Sequence, residues 1–103
     1  MTHTQSLQSL CAKPFCLSDD AVAWVERTLE RLTVEDKIGQ LFCLILREGT
    51  RAEADALLTQ IQPGGIMSRP LPMERLVDCT AHLRERSPLP LLIAANLEKG
   101  GDG

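Results

Sequence analysis

Leu41-Phe-Cys-Leu-Ile-Leu46, Ile66-Met-Ser68 and Leu91-Leu-Ile-Ala-Ala95 are the stretches that decide the fold. The first and third are apolar without alternation, which suits strands buried on both faces of a parallel sheet. A helical pattern lies between each pair. Thr50-Arg-Ala-Glu53 matches a capping box, and Ala54, Leu57, Leu58 and Ile61 follow at the spacing of one helix face. Gln62-Pro-Gly-Gly65 ends that helix, and its glycines read as helix-stop geometry. Pro72 can open the next helix from its first position. Met73, Leu76, Val77 and Leu83 mark its buried face.

Upstream, Thr33-Val-Glu-Asp36 reads as the start of a short helix. Ser18-Asp-Asp20 starts a longer one, with acidic residues at the positive end of its dipole. Val22, Val25, Leu29 and Leu32 form its apolar face, and Trp24 on the same helix is assigned to packing. Residues 1–17 lack periodicity and read as a flexible leader.

Strands alternating with helices mean βαβ units and a parallel sheet. Three such strands leave two open edges and a thin core, marginal for an independent domain. The chain therefore reads as an incomplete α/β domain over residues 18–103. It supplies about three βα units at the N-terminal part of a (β/α)8 TIM barrel, a fold that takes about 250 residues.

Composition narrows the function. The net charge is −3 and the 11 basic residues are scattered, which argues against nucleic acid as a partner. No apolar stretch approaches the ~20 residues of a membrane span, and the polar start shows no secretory signal. Cys11, Cys16, Cys43 and Cys79 lack zinc-site spacing. They read as reduced thiols, with Cys43 and Cys79 as core fillers, in a cytoplasmic protein. No metal and no cofactor is expected, and a nucleotide site is unsupported. His82 reads as an exposed or capping histidine, and nothing in the sequence sets the oligomeric state.

Ligand sites of α/β barrels lie at the carboxyl ends of the strands. Residues 47–50, 68–71 and 96–103 fall there. The third segment places an amide, a carboxylate, an ammonium and glycines directly after a strand. Asn96 can donate and accept, and Glu98 can accept from two hydroxyls. Arg69, at the end of the second strand, can reach a ligand. Gly100 and Gly101 permit close backbone approach.

Three segments carry a resemblance: Glu35-Asp-Lys-Ile-Gly-Gln-Leu-Phe42, Pro63-Gly-Gly-Ile66 and Pro90-Leu-Leu-Ile-Ala-Ala-Asn-Leu-Glu-Lys-Gly-Gly101. In order and spacing they resemble the start of glycoside hydrolase family 3, in particular its bacterial β-N-acetylhexosaminidase-like and β-glucosidase-like members. The resemblance implies part of a retaining glycosidase acting on terminal β-linked N-acetylglucosamine or glucose, with a carbohydrate as its partner. The family's common pattern at the third strand end is Asp-x-Glu-Gly-Gly, whose Asp binds sugar hydroxyls. Asn96 takes that place here, and Lys99 is added before the glycine pair. The resemblance thus implies a sugar contact at Asn96. Asn makes a neutral bond where a carboxylate would make a charge-assisted one of about twice the strength. The family's nucleophilic Asp, and the His of a Lys-His-Phe-Pro-Gly-type loop, come from later strands. No catalytic residue is therefore assigned in this chain. The alternative is a free-standing short βα module for binding or assembly, without catalysis.

Overall fold

The computed structural model describes residues 7–100, and the 101–103 end of the glycine-rich loop lies outside them. The chain divides into two compact units, Met1–Thr33 and Val34–Gly103.

In the first unit a short 3-10 helix, Ser9–Cys11, precedes helix α1, Asp19–Arg31. Ser18 caps α1 by accepting from the Ala21 amide at 3.2 Å, which satisfies one orphan donor of the first turn. Val22, Val25, Leu29 and Leu32 are half-buried, as their spacing predicts. Trp24 differs: it stays 46% exposed.

The second unit runs α2 (Val34–Gly39), β1 (Cys43–Leu46), α3 (Arg51–Gln60), β2 (Gly65–Ser68), α4 (Met73–Arg86) and β3 (Leu92–Ala95). The strands form one parallel sheet in the order β1-β2-β3. In register, Cys43, Gly65 and Leu92 form one row, and Leu46, Ser68 and Ala95 another. Strand alternation therefore puts Leu44, Leu46, Ile66 and Ile93 on one face. Helices α3 and α4 pack there with Ala54, Leu58, Cys79 and Leu83 to make the core.

The other face departs from the sequence expectation. It carries Cys43, Ile45, Met67, Leu92 and Ala94, and Leu92 is 78% exposed. Burial on both faces needs a second covering layer, and no helix among the described residues of this unit supplies one. For the same reason Cys43 is exposed and only Cys79 fills the core. Burial pushes the Cys79 thiol up from its ordinary range, which keeps it protonated and unreactive. β1 starts at Cys43, two residues later than its apolar run, and leaves Leu41 and Phe42 exposed. On α4 the buried face is Cys79 and Leu83, while Met73 and Val77 are exposed. Pro72 caps that helix from just outside it rather than entering its first turn.

The Pro63-Gly-Gly segment also works differently from a helix stop. Neither Gly64 nor Gly65 has positive φ. A Cβ on Gly64 would lie 2.0 Å from the Gln40 carbonyl oxygen, and one on Gly39 would lie 2.7 Å from that of Gln62. The Gln40 side-chain amide donates to the carbonyls of Gln62 (3.0 Å) and Pro63 (3.4 Å). Two glycines and one amide thus join the end of α2 to the segment entering β2.

Candidate functional site

Three loops leave the carboxyl edge of the sheet. The Arg69 amide donates to the Leu46 carbonyl at 2.9 Å, which extends the β1–β2 ladder past both strands. Since Leu46, Ser68 and Ala95 share one register row, the next residues form the following row: Arg47, Arg69 and Asn96. Alternation assigns that row to the sheet face opposite the helices. Two of the residues chosen from sequence, Arg69 and Asn96, are therefore the first residues past the paired ends of neighbouring strands, whose backbones run roughly 5 Å apart. Arg69 is exposed and Asn96 half-buried. Glu98 lies two residues past the row in a turn and is exposed. Gly100 has φ +76° with open space around it, and its amide donates to the Leu97 carbonyl at 3.1 Å.

Arg47 is the member of this row that sequence reasoning did not single out. The available signal was its position, first after an apolar strand, matching Arg69 and Asn96.

The β1–α3 loop is held by Glu53. Its carboxylate accepts from the amides of Arg47 (3.0 Å), Glu48 (3.1 Å) and Gly49 (3.2 Å). The Glu53 amide donates to Thr50 Oγ1 at 3.1 Å. Half of the capping box forms as its pattern predicts, while its carboxylate serves the strand end instead of the Thr50 amide. Gly49 adopts φ +69° to complete the turn, packed against Leu71 and Arg75. Arg75 donates to the Glu48 carbonyl at 3.1 Å. Glu53→Ala is expected to leave three amides without their acceptor, at a cost of about 2 kcal/mol. Amide exchange at residues 47–49 then speeds up relative to the core strands; unchanged protection there would remove Glu53 from this role.

Behind the edge, α3 and α4 are joined by ion pairs. Arg51 meets Asp78 at 2.6 Å and holds its carboxyl below the usual carboxylate range through their hydrogen bond. Asp55 meets His82 at 2.8 Å and Arg86 at 2.9 Å. His82 is thus a half-buried bridge between helices, neither exposed nor a cap. A cleft of about 240 Å³ lined by Glu35, Asp36, Thr59 and Gln62 lies at the opposite end of the unit, away from this row. Among the described residues no group of three or more His, Cys, Asp or Glu is placed to hold a metal ion. No helix among them is long and apolar enough to cross a membrane.

These features define a parallel βα segment with a polar strand edge. No family model matches the chain. It is 38% identical over 91 residues to a β-N-acetylglucosaminidase/β-glucosidase of Cellulomonas fimi, an alignment covering 88% of this chain and 16% of that protein. It superposes with TM-score 0.84 on a β-glucoside phosphorylase, BglX, bound to 2FGlc, and with TM-score 0.79 on a second structure of BglX. Both are 38% identical to it; 93% of this chain is covered, and 17% and 16% of theirs. The chain belongs to glycoside hydrolase family 3, and it spans about one sixth of the length of these relatives.

Proposed function

We propose that this chain is the N-terminal portion of a (β/α)8 barrel in a longer enzyme acting on terminal β-linked glucose or N-acetylglucosamine, and that its carboxyl edge forms part of the sugar-binding site. The carrying observation is the row of Arg69 and Asn96 at one sheet edge, in a chain 38% identical to proteins named for β-glucosides. Asn96 and Glu98 hold sugar hydroxyls, and Arg69 engages a polar or anionic group of the ligand. The open sheet face becomes the inner face of the barrel, which accounts for the exposure of Leu92 and Cys43. The groups that cleave the glycosidic bond belong to the rest of the longer protein, so these residues alone do not hydrolyse a glycoside. The enzyme needs no cofactor in this reading. Its four unpaired cysteines suit a reducing cytoplasm.

A second reading concerns the acceptor. The solved relatives are β-glucoside phosphorylases, which favours phosphate over water. In phosphorolysis the bond from C1 to the aglycone oxygen breaks and a bond from C1 to a phosphate oxygen forms. The aglycone oxygen takes up the proton that phosphate gives up.

The test uses the full-length product with 4-nitrophenyl β-glucoside and β-N-acetylglucosaminide. Activity on at least one is expected, with kcat/KM reduced about 10- to 100-fold in Asn96→Ala through loss of a buried polar contact. Inactivity on both glycosides, or an Asn96→Ala enzyme of unchanged kcat/KM, overturns the proposal.

A further inference from the structure

The row at the carboxyl edge holds two guanidiniums on adjacent strands. Arg47 and Arg69 follow Leu46 and Ser68, which face each other in the β1–β2 register. Both residues are exposed, and among the described residues neither side chain has a hydrogen-bond or ion-pair partner. Like charges directly opposite each other on neighbouring strands destabilise a sheet. Of the other arginines of this unit, Arg51 is paired with Asp78, Arg75 with the Glu48 carbonyl and Arg86 with Asp55, while Arg84 is exposed on α4, away from this edge. Arg47 is also held in place, because the Glu53 carboxylate takes its amide together with those of Glu48 and Gly49. The strand end is thus fixed while its side chain is left unspent.

We propose that Arg47 and Arg69 form an oxyanion-binding pair that takes a phosphate group beside the sugar held at Asn96. A guanidinium presents a planar fork that matches phosphate oxygens two at a time. Two forks on adjacent strands meet a dianion that one could not neutralise, and the anion removes the repulsion between them. Asn96, next in the row, is neutral. It donates to an anion without competing for the arginines, whereas an Asp at this position would pair with Arg69 and close the site. Of the carboxylates at the edge, Glu48 and Glu98 lie outside the row and Glu53 is engaged by the Arg47, Glu48 and Gly49 amides, while Lys99 adds a positive charge beside Glu98. The phosphate group can arrive as inorganic phosphate or as an ester on the sugar substrate. The inference rests on the reading of this edge as part of a β-glycoside site, and it adds Arg47 to that site.

Inorganic phosphate is titrated calorimetrically into the full-length product and into Arg47→Gln, Arg47→Lys and Asn96→Asp variants. Saturable binding is expected in the unsubstituted protein, weakened at least about tenfold by Arg47→Gln, one lost charge-assisted pair. Arg47→Lys falls between the two, since it restores charge without the fork. Asn96→Asp weakens binding as well, although it deletes no cation. In parallel, kcat/KM is compared for 4-nitrophenyl β-glucoside and its 6-phosphate ester. A preference for the ester that Arg47→Gln abolishes, without binding of free phosphate, assigns the pair to a phosphorylated sugar. No phosphate binding together with no preference for the ester overturns the pair even if the glucoside is cleaved. Arg47-dependent phosphate binding by a protein inactive on both glycosides keeps the pair and removes the glycoside reading.

Discussion

Gly64→Ala is expected to destabilise the full-length product by about 3 kcal/mol or more, beyond the usual range for one added methyl in a packed interior. The new Cβ would stand 2.0 Å from the Gln40 carbonyl oxygen and 2.9 Å from its carbon. These are backbone atoms, which cannot swing away as a side chain would. Relief requires moving the segment between α2 and β1, or the one entering β2. Both are tied: the Gly64 and Gly65 amides donate to the Phe42 carbonyl at 3.2 Å, and the Gly64 carbonyl accepts from Leu92 at 3.1 Å. One displacement therefore loosens the entry to all three strands. Gly100→Ala is the contrast. Its φ of +76° carries a backbone cost of about 1 kcal/mol, but nothing lies within 4 Å of the added methyl. Urea denaturation of the two variants should separate them by at least about 2 kcal/mol. Equal midpoints would show that the Gln40–Gly64 approach relaxes freely.

This close approach explains how much of the fold could be read in advance. Helix starts at Ser18 and Thr50 were legible because capping is local chemistry: one side-chain oxygen and one amide three residues on. Strand order followed from alternation of apolar runs with helices. The glycines at 64 and 65 were misread because a glycine that ends a helix and one that admits another backbone look alike in sequence. Only the Gln40 carbonyl, 24 positions upstream, distinguishes them. The same contact links two of the segments that carry the family resemblance, Gly39-Gln40 and Pro63-Gly64, at the end of the sheet away from the candidate site. Their pairing in the sequence therefore reflects a structural clasp, and only the third segment reaches the carboxyl edge of the sheet.

The polar strand edge was legible in outline. Asn96 and Arg69 could be chosen as polar residues directly after strands, but their adjacency depends on register, which no local pattern fixes when neither strand alternates polar and apolar residues. Arg47 was passed over for the same reason. Burial was the weakest expectation. The runs at Leu41–Leu46 and Leu91–Ala95 are apolar on alternate positions that face opposite ways, and composition alone cannot say that only one of those faces meets a helix. Met73 and Val77 failed similarly: both are apolar and on α4, yet the helix presents Cys79 and Leu83 to the sheet.

Leu83→Ala is expected to cost about 2–5 kcal/mol, the range for emptying a fully buried leucine site. Leu83 is 0% exposed and belongs to the one cluster that joins α3, α4 and the sheet, with Leu46, Ala54, Leu58, Ile66, Cys79 and Leu91. That cluster is small and covers a single face of a three-stranded sheet. Few neighbours can shift inward to fill the cavity, so little of the loss is recovered. Val77→Ala, one helical turn and a half earlier on α4 and 62% exposed, removes less burial and should change stability by under about 0.5 kcal/mol. The pair is measured on the full-length product by chemical denaturation, with amide exchange at β1 and β2 as the local readout. Leu83→Ala should lower protection in both strands, because the helix layer that shields them loosens. A Val77→Ala variant as destabilised as Leu83→Ala would mean that the outer face of α4 is covered by another part of the protein, and would relocate the main core to that side.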